Sequence, residues 1–504
     1  MAAVLMDPDV KPARAGGVSG RAARVALTAL TALTLLRLFA AARVPLSPDE
    51  AYYWVWSKAL AAGYPDHPPM VALWIRFGTE LAGDSALGVR LLAPLALALG
   101  SVLLWRAGED LLPGRGTGLT AAVLANATLL FGIGSVTMTP DTPLLFFWTC
   151  AVFACGRLLA TGNAAWWLAA GAFTGAAMAS KYTGLLLVPA LLLWLLLTPS
   201  LRFWLRRPAP WLGALLAGMV FGPVLAWNAG HGWVSFLKQG GRVGSWQPAR
   251  AMQFLGELLG GQIGLATPLL AVLFAAGFWL VFREARRGAA GPVLLTALLG
   301  VPSLVFLEHA LGGRVQANWP SVLYPQAAIA AAALGGSWRC WRAPAAALGL
   351  LLTGAIWVQA LWSPLPLPAH LDPALQRLAG WGRLAEGVVR VAGAGRARFV
   401  VADNYGLAAE MAWHMAPGVP VLAVGERWRW FALADATGTI AGKEGVLLRS
   451  ERRKGLPKTQ DFTVLSLGSE LVRGRDGKIA ERFRLYGVRG RAGGEPVVVL
   501  PRRK

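Results

Sequence analysis

The chain has 504 residues, of which 56% are hydrophobic and only 15% charged, and its mean hydropathy is +0.51. Soluble domains carry about a quarter of their residues as charges, so this composition excludes an ordinary water-soluble enzyme and implies an integral membrane protein. The net charge of +22 does not imply a nucleic-acid partner, because no basic face with interleaved aromatics stands out and polytopic chains collect lysine and arginine in cytoplasmic loops and at headgroups.

In chain order, residues 1–22 are basic and Gly/Ala-rich without aliphatic periodicity, and are expected to be a disordered cytoplasmic tail. The apolar run 23–42 is too long for a signal-peptide core and has no evident cleavage site, so it reads as an uncleaved first span. Arg37 inside it reads as snorkelling toward an interface. Further apolar segments fall at 86–105, 117–135, 142–160, 165–180, 183–198, 210–227, 257–281, 291–308, 319–336 and 344–362. With the first they make about eleven spans of the ~20 residues a bilayer requires, although the two short ones meeting at Ser180 and Lys181 also read as one broken helix. Cys150, Cys155 and Cys340 lie in or beside apolar segments, so no disulfide framework is implied. No inverted repeat is detectable, which counts against a secondary transporter.

Residues 23–362 are therefore expected to form an α-helical polytopic membrane module. Pro364, Pro366 and Pro368 end its last helix. Residues 363–504 mix charges with short β-branched or aliphatic runs at 398–402, 419–424, 445–448 and 496–500, separated by helical stretches at 373–391 and 406–414, and read as a soluble α/β domain.

Loop charge orients the module. Lys11, Arg14, Arg21, Arg24, Arg106, Arg115, Arg157, Arg202, Arg206, Arg207, Arg283, Arg286, Arg287, Arg339 and Arg342 fall in one set of alternate connections, which the positive-inside rule assigns to the cytoplasm. The other set holds Asp49, Glu50, Asp66, His67, Asp141, Lys181, His231, His309 and Arg314. The rare acids and histidines thus share the non-cytoplasmic face, where the C-terminal domain is expected too.

Leu46-Ser-Pro-Asp-Glu-Ala-Tyr-Tyr-Trp54 is the first polar stretch on that face. Asp49 and Glu50 suit a helix N-terminus capped by Ser47, or a carboxylate pair serving chemistry at the start of an aromatic helix lying along the membrane. Tyr64-Pro-Asp-His-Pro-Pro-Met70 is either a turn or an Asp66–His67 pair oriented as metal ligands or as acid and base. Asp141 in Met138-Thr-Pro-Asp-Thr-Pro143 is an N-cap or a third acid of a shared site. Lys181 interrupts an apolar stretch, and an ammonium at membrane depth is a functional candidate. The segments Trp227-Asn-Ala-Gly-His-Gly-Trp-Val-Ser-Phe236 and Arg314-Val-Gln-Ala-Asn-Trp-Pro320 add His231, Arg314 and Asn318; belt anchoring alone would explain their tryptophans.

In order and spacing, these elements together with Ser180-Lys-Tyr-Thr-Gly184 resemble the bacterial branch of glycosyltransferase family 39, the GT-C group of protein mannosyltransferases and the lipid A aminoarabinose transferase. The resemblance covers about 23–360, and Gly380-Trp381 with Ala402-Asp-Asn-Tyr-Gly-Leu-Ala-Ala-Glu410 resembles the outer domain of these bacterial members. It implies an inverting transfer of a sugar from a polyprenyl-phosphate carrier to lipid A or another periplasmic glycolipid or glycan, at the outer face of a bacterial inner membrane. On this resemblance Asp49 is the general base on the acceptor hydroxyl or orients it, and Glu50 is a supporting acid. Lys181, Arg314, His231 and Tyr182 meet the donor phosphate, and Tyr53, Asn228 and Asn318 line the substrate pocket. Asp66, His67 and Asp141 are the candidate ligands of a divalent metal. One departure is that the aminoarabinose branch has lysine where His67 follows the acid. The alternatives are a protein O-glycosyltransferase of the same family and a polyprenyl-linked sugar transporter, which would expose polar groups to both faces.

Overall fold

The protein is described by a computed structural model covering residues 20–240, 246–453, 455–457, 460–491 and 494–503. The expected tail lies outside these residues except for Gly20, Arg21 and Ala22, which already belong to the first helix.

The first helices are α1 (Gly20–Arg43), α2 (Pro48–Lys58), α3 (Met70–Ala82), α4 (Ala86–Arg90), α5 (Leu92–Leu111), α6 (Thr117–Asn126), α7 (Leu129–Gly134), α8 (Asp141–Thr161) and α9 (Ala165–Met178). There follow α10 (Leu187–Leu197), α11 (Pro208–Gly230), α12 (Val234–Gly240), α13 (Pro248–Ala266), α14 (Pro268–Ala285), α15 (Ala290–Ala310), α16 (Tyr324–Ala332) and α17 (Arg342–Trp362). Among the described residues seven helices are long and apolar enough to cross a membrane, or eight if the pair Tyr182–Leu197 and Pro199–Arg206, bent by 113°, counts as one span. The expected segments 117–135, 165–180 and 319–336 are helical but short. The first is interrupted before Thr128, whose hydroxyl accepts from Phe131 N to start α7. The second stops at Met178, because Lys181 is extended (φ −157°).

The C-terminal region adds α18 (Pro373–Leu378), α19 (Trp381–Ala394), β1 (Val400–Ala402), α20 (Tyr405–His414), β2 (Val421–Val424), β3 (Glu444–Ser450), β4 (Phe462–Arg475), β5 (Lys478–Gly490) and β6 (Val497–Val499). The strands form one mixed sheet in the order β4-β5-β3-β1-β2-β6, with β1 parallel to β2 and β3. The four strands expected from apolar runs are β1, β2, β3 and β6. The β4–β5 hairpin is additional, and turns at Asp476-Gly477, both at positive φ (51° and 76°), the geometry favoured in two-residue hairpin loops.

The aromatic residues of helix α2 are covered by protein rather than exposed. Residues 51–57 of it are buried, in one apolar cluster with Trp381, Leu407, Trp413, Trp428 and Phe431 of the C-terminal region. Gly406 opens α20 so close to α2 that a Cβ there would sit 2.8 Å from Pro48 Cβ; only the missing side chain lets the two helices meet. Arg37 is buried as well, with its Nε and one terminal nitrogen unpartnered, so it does not snorkel to an exposed interface.

What fixes α2 is its first turn. Ser47 and Glu50 form a reciprocal capping box, and the Glu50 carboxylate also takes two hydrogen bonds from Arg90, at 2.6 and 2.7 Å. Both side chains are fully buried. Arg90 further donates to the carbonyls of Ala41, Val44 and Pro45 at the end of α1, and Glu50 accepts from Met138 N at 3.0 Å. Three segments are thereby tied to one ion pair. Removing one partner of a buried pair costs about 3–5 kcal/mol. Arg90→Ala should thus lower the unfolding midpoint of the solubilised protein markedly, whereas Arg76→Ala, which breaks an exposed pair with Glu80, should leave it within the error of the melt.

Glu410 lies beneath α2, fully buried, with neither oxygen hydrogen-bonded. Burial pushes its carboxyl well above the usual range, helped by Glu50 and opposed by Arg473 and Arg90. Burial also pushes His414, 3.4 Å away, down to about 4, so burial favours the neutral form of both groups. A carboxyl raised on folding contributes stability that is complete below its unfolded value, near 4.5, and is lost as pH rises toward the folded value. Glu410→Gln should therefore stabilise the protein more at pH 8 than at pH 5 in parallel melts.

Candidate active site

The capping box settles which acid of the 49–50 pair is free. Glu50 is consumed by Ser47, Arg90 and Met138, so it stands behind the site rather than in it, and the expected supporting-acid position is corrected accordingly. Asp49 is half-buried and accepts a hydrogen bond from Tyr405 Oη at 2.9 Å. It lines a cavity of about 370 Å³ whose other polar walls include Thr139, Asp141 and Asn318. Much of the remaining wall is apolar, with Leu97 and Leu104 of α5, Phe131 of α7, and Leu145 and Phe146 of α8.

Asp141 opens α8, where the N-terminal dipole favours an anion. Its carboxylate receives Lys181 Nζ at 2.7 Å, Asn318 Nδ2 at 2.7 Å and Ser321 Oγ at 3.4 Å. Asp141, Lys181 and Asn318, from three distant stretches, are thus in direct contact.

Asp66 is the centre of a second cluster. It accepts from Tyr52 Oη at 3.0 Å and pairs with Arg427 at 2.8 Å and with Lys238. Burial would raise its carboxyl, but Arg427 and Lys238 outweigh that and hold it below the usual range. The Arg427 guanidinium also lies 4.2 Å over the Tyr405 ring, so the Asp66 and Asp49 partners touch. His67 is pushed down to about 4 by burial and by Lys181, leaving it neutral, and its Nδ1 is buried without a partner. Tyr53 packs beside it, with ring centroids 6.4 Å apart.

The remaining candidates divide. Tyr182, Asn228 and Ser235 form one hydrogen-bonded network next to Lys181. His231 is stacked on Trp227 and its Nδ1 is engaged with the Trp227 carbonyl at 2.6 Å. Arg314 is not brought to the site: it is exposed and paired with Glu257 at 2.8 Å. The divalent-metal set is not assembled either. Among the described residues no group of three His, Cys, Asp or Glu is arranged to hold a metal, and the oxygens of Asp66 and Asp141 are already held by lysine and arginine, so these residues do not fit a bound cation. Four contributors escaped the sequence reading: Arg90, Lys238, Tyr405 and Arg427. Tyr405 lies in the quoted 402–410 segment, and that was the one available signal.

Residues 66–227 match the family described as dolichyl-phosphate-mannose-protein mannosyltransferase, so the resemblance read from the sequence is borne out. The lipid A galacturonosyltransferase RgtD of Rhizobium johnstonii is 29% identical over 286 residues, 56% of this chain and 59% of its own length; the matched part spans under two thirds of that relative. In fold, the chain is similar to ArnT from Cupriavidus metallidurans bound to undecaprenyl phosphate, with a TM-score of 0.60 at 15% identity over 92% of this chain and 97% of the other. The apo form of that protein gives 0.57 at the same identity, over 92% and 98%. The chain has the same membrane-helix and C-terminal-sheet fold.

Breaking the Asp66 cluster should loosen the contact it makes between the loop after α2, α12 and the C-terminal region. Asp66→Asn, which leaves Lys238 and Arg427 without their acid, should speed amide hydrogen exchange at 61–69 and 426–430 by at least several-fold while exchange in β3 stays unchanged.

Proposed function

We propose that the protein is an inverting glycosyltransferase that moves a sugar from a polyprenyl-phosphate donor to a lipid A-type glycolipid at the outer face of a bacterial inner membrane. The observation that carries this reading is that Asp49, Asp141 and Asn318 line one largely apolar cavity, with Lys181 bonded to the Asp141 carboxylate from outside that lining. Such a cavity suits an amphiphile. It favours a lipid acceptor over the peptide that a protein O-glycosyltransferase would need, and the gathering of the rare acids at one cavity argues against a transporter. The relative's name, a lipid A galacturonosyltransferase, supports the acceptor class.

In this reading Asp49, held in place by Tyr405, takes the proton of the acceptor hydroxyl as the oxygen bonds the anomeric carbon. The anomeric C–O bond to phosphate breaks on the opposite side, and the bonding pair leaves with the polyprenyl phosphate. Charge developing there needs donors already in place, which Lys181, Lys238 and the unused ring nitrogen of His67 supply. Tyr182, Asn228 and His231 border that side, while Tyr53 and Asn318 face the sugar. Glu50 acts only by positioning α2. The long apolar helices cross the membrane with residues 363–504 outside, as the loop charges indicate.

Asp49→Asn keeps the shape and the Tyr405 contact but cannot take a proton. Its turnover with a polyprenyl-phosphate sugar and a glycolipid acceptor should fall at least about 100-fold, with donor affinity and melting behaviour unchanged. Unaltered turnover would remove Asp49 from the chemistry.

A further inference from the structure

The cavity beneath Asp49 has a wall that the assignment above does not use. Arg377, on the short helix α18 of the C-terminal region, is exposed and lines the same cavity as Asp49, Asp141 and Asn318. The other cations of the site each have an acid partner: Lys181 pairs with Asp141, Lys238 and Arg427 share Asp66, and Arg90 pairs with Glu50. Among the described residues the Arg377 side chain makes no ion pair and no hydrogen bond. Among the described residues it is the one basic side chain in the cavity's lining, and it has no acid partner, as Asp49 has no basic one.

The helix that carries it is held rigidly. Asp372 caps α18 by accepting from Leu375 N at 3.0 Å, and receives Gln359 Nε2 from the end of α17 at 3.0 Å. The buried Arg473 donates to the carbonyls of Leu375, Gln376 and Ala379, and its guanidinium lies 4.0 Å over the Trp381 ring. Arg473, which also pairs with Glu481 of β5 at 3.1 Å, ties the end of α18 to the sheet, so Arg377 is presented from an anchored base, which lowers the ordering cost of binding.

We infer that Arg377 is a substrate-binding residue that holds an anionic group, a phosphate, on the acceptor lipid whose apolar part enters the cavity between α5, α7 and α8. This rests on the transferase reading and deepens it by naming the acceptor's chemistry. Guanidinium suits phosphate because its forked donors match two oxygens. The acceptor is the source rather than the donor because the cavity's lining includes nothing from α9 to α12, where Lys181, Tyr182, Asn228 and Lys238 gather. A phosphate held at Arg377 also keeps the lipid's negative charge off Asp49 and Asp141, so that a hydroxyl rather than an anion meets Asp49.

The test compares full-length wild type, Arg377→Ala and Arg377→Lys in lipid nanodiscs, with phosphorylated lipid A and the same lipid after phosphatase treatment as acceptors. Arg377→Ala should raise KM for the phosphorylated acceptor about tenfold, equivalent to about 1.4 kcal/mol, with kcat and the donor KM unchanged. Arg377→Lys should recover much of the loss, and wild type and Arg377→Ala should behave alike on the dephosphorylated lipid. An equal loss on both lipids, or a rise in donor KM instead, would overturn the assignment. If the wild type transfers no sugar to either lipid, the transferase reading fails, and native mass spectrometry of retained lipid still decides this one. Wild type should then hold the phosphorylated form in preference and Arg377→Ala should not; equal retention of both forms would sink the inference.

Discussion

The Glu50–Arg90 pair is the constraint on which the rest of the site depends. A carboxylate and a guanidinium without exposure are tolerable only because every charge-bearing atom is engaged: Glu50 by Ser47, Arg90 and Met138 N, and Arg90 by three carbonyls at the end of α1. Buried pairs of this kind add little net stability but are costly to break. Their consequence here is geometric. Because Glu50 completes the cap of α2, Asp49 one residue earlier is not needed for capping and faces the cavity. Because Glu50 also holds Met138 N, the turn leading into α8 is fixed, and Asp141 comes to the same cavity.

The second dependence is on the C-terminal region, which supplies side chains as well as a roof. It shares an apolar cluster with α2, so the aromatic residues that look like a membrane-surface helix are the core between two parts of one chain. Through that contact it delivers Tyr405 to Asp49, Arg427 to Asp66 and Arg377 to the cavity. The Asp66 cluster joins the loop after α2, α12 and the segment around Arg427.

Much of this was legible in the sequence and some could not be. Hydropathy located most of the apolar segments but ran α13 and α14 together as 257–281, which Thr267 at φ 78° divides; nor does segment length tell of a cap at Thr128 or an extended Lys181, and those set where helices end. Asp49, Asp141, Lys181 and Asn318 were legible because an ionisable or amide group beside an apolar run is rare enough to stand out. Arg90, Lys238 and Arg427 were not, since in a chain with 48 lysines and arginines one more basic residue carries no signal until its partner is known. Those partners are 40, 172 and 361 residues away. Arg314 failed for the opposite reason: its motif was conspicuous, but the backbone carries it to Glu257 rather than to Asp141. The Asp66–His67–Asp141 metal set was a plausible grouping by residue type, and lysine and arginine occupy the oxygens instead.

The account stands on a single displacement at the anomeric carbon, with Asp49 on the acceptor side and the phosphate leaving opposite. The most direct measurement is the anomeric configuration of the product, read by proton NMR after the purified protein has turned over a polyprenyl-phosphate sugar of defined configuration with a glycolipid acceptor. Inversion is the result the account predicts. Retention would require a covalent sugar intermediate or a front-face route, and would contradict the role of Asp49 as the base of a one-step transfer.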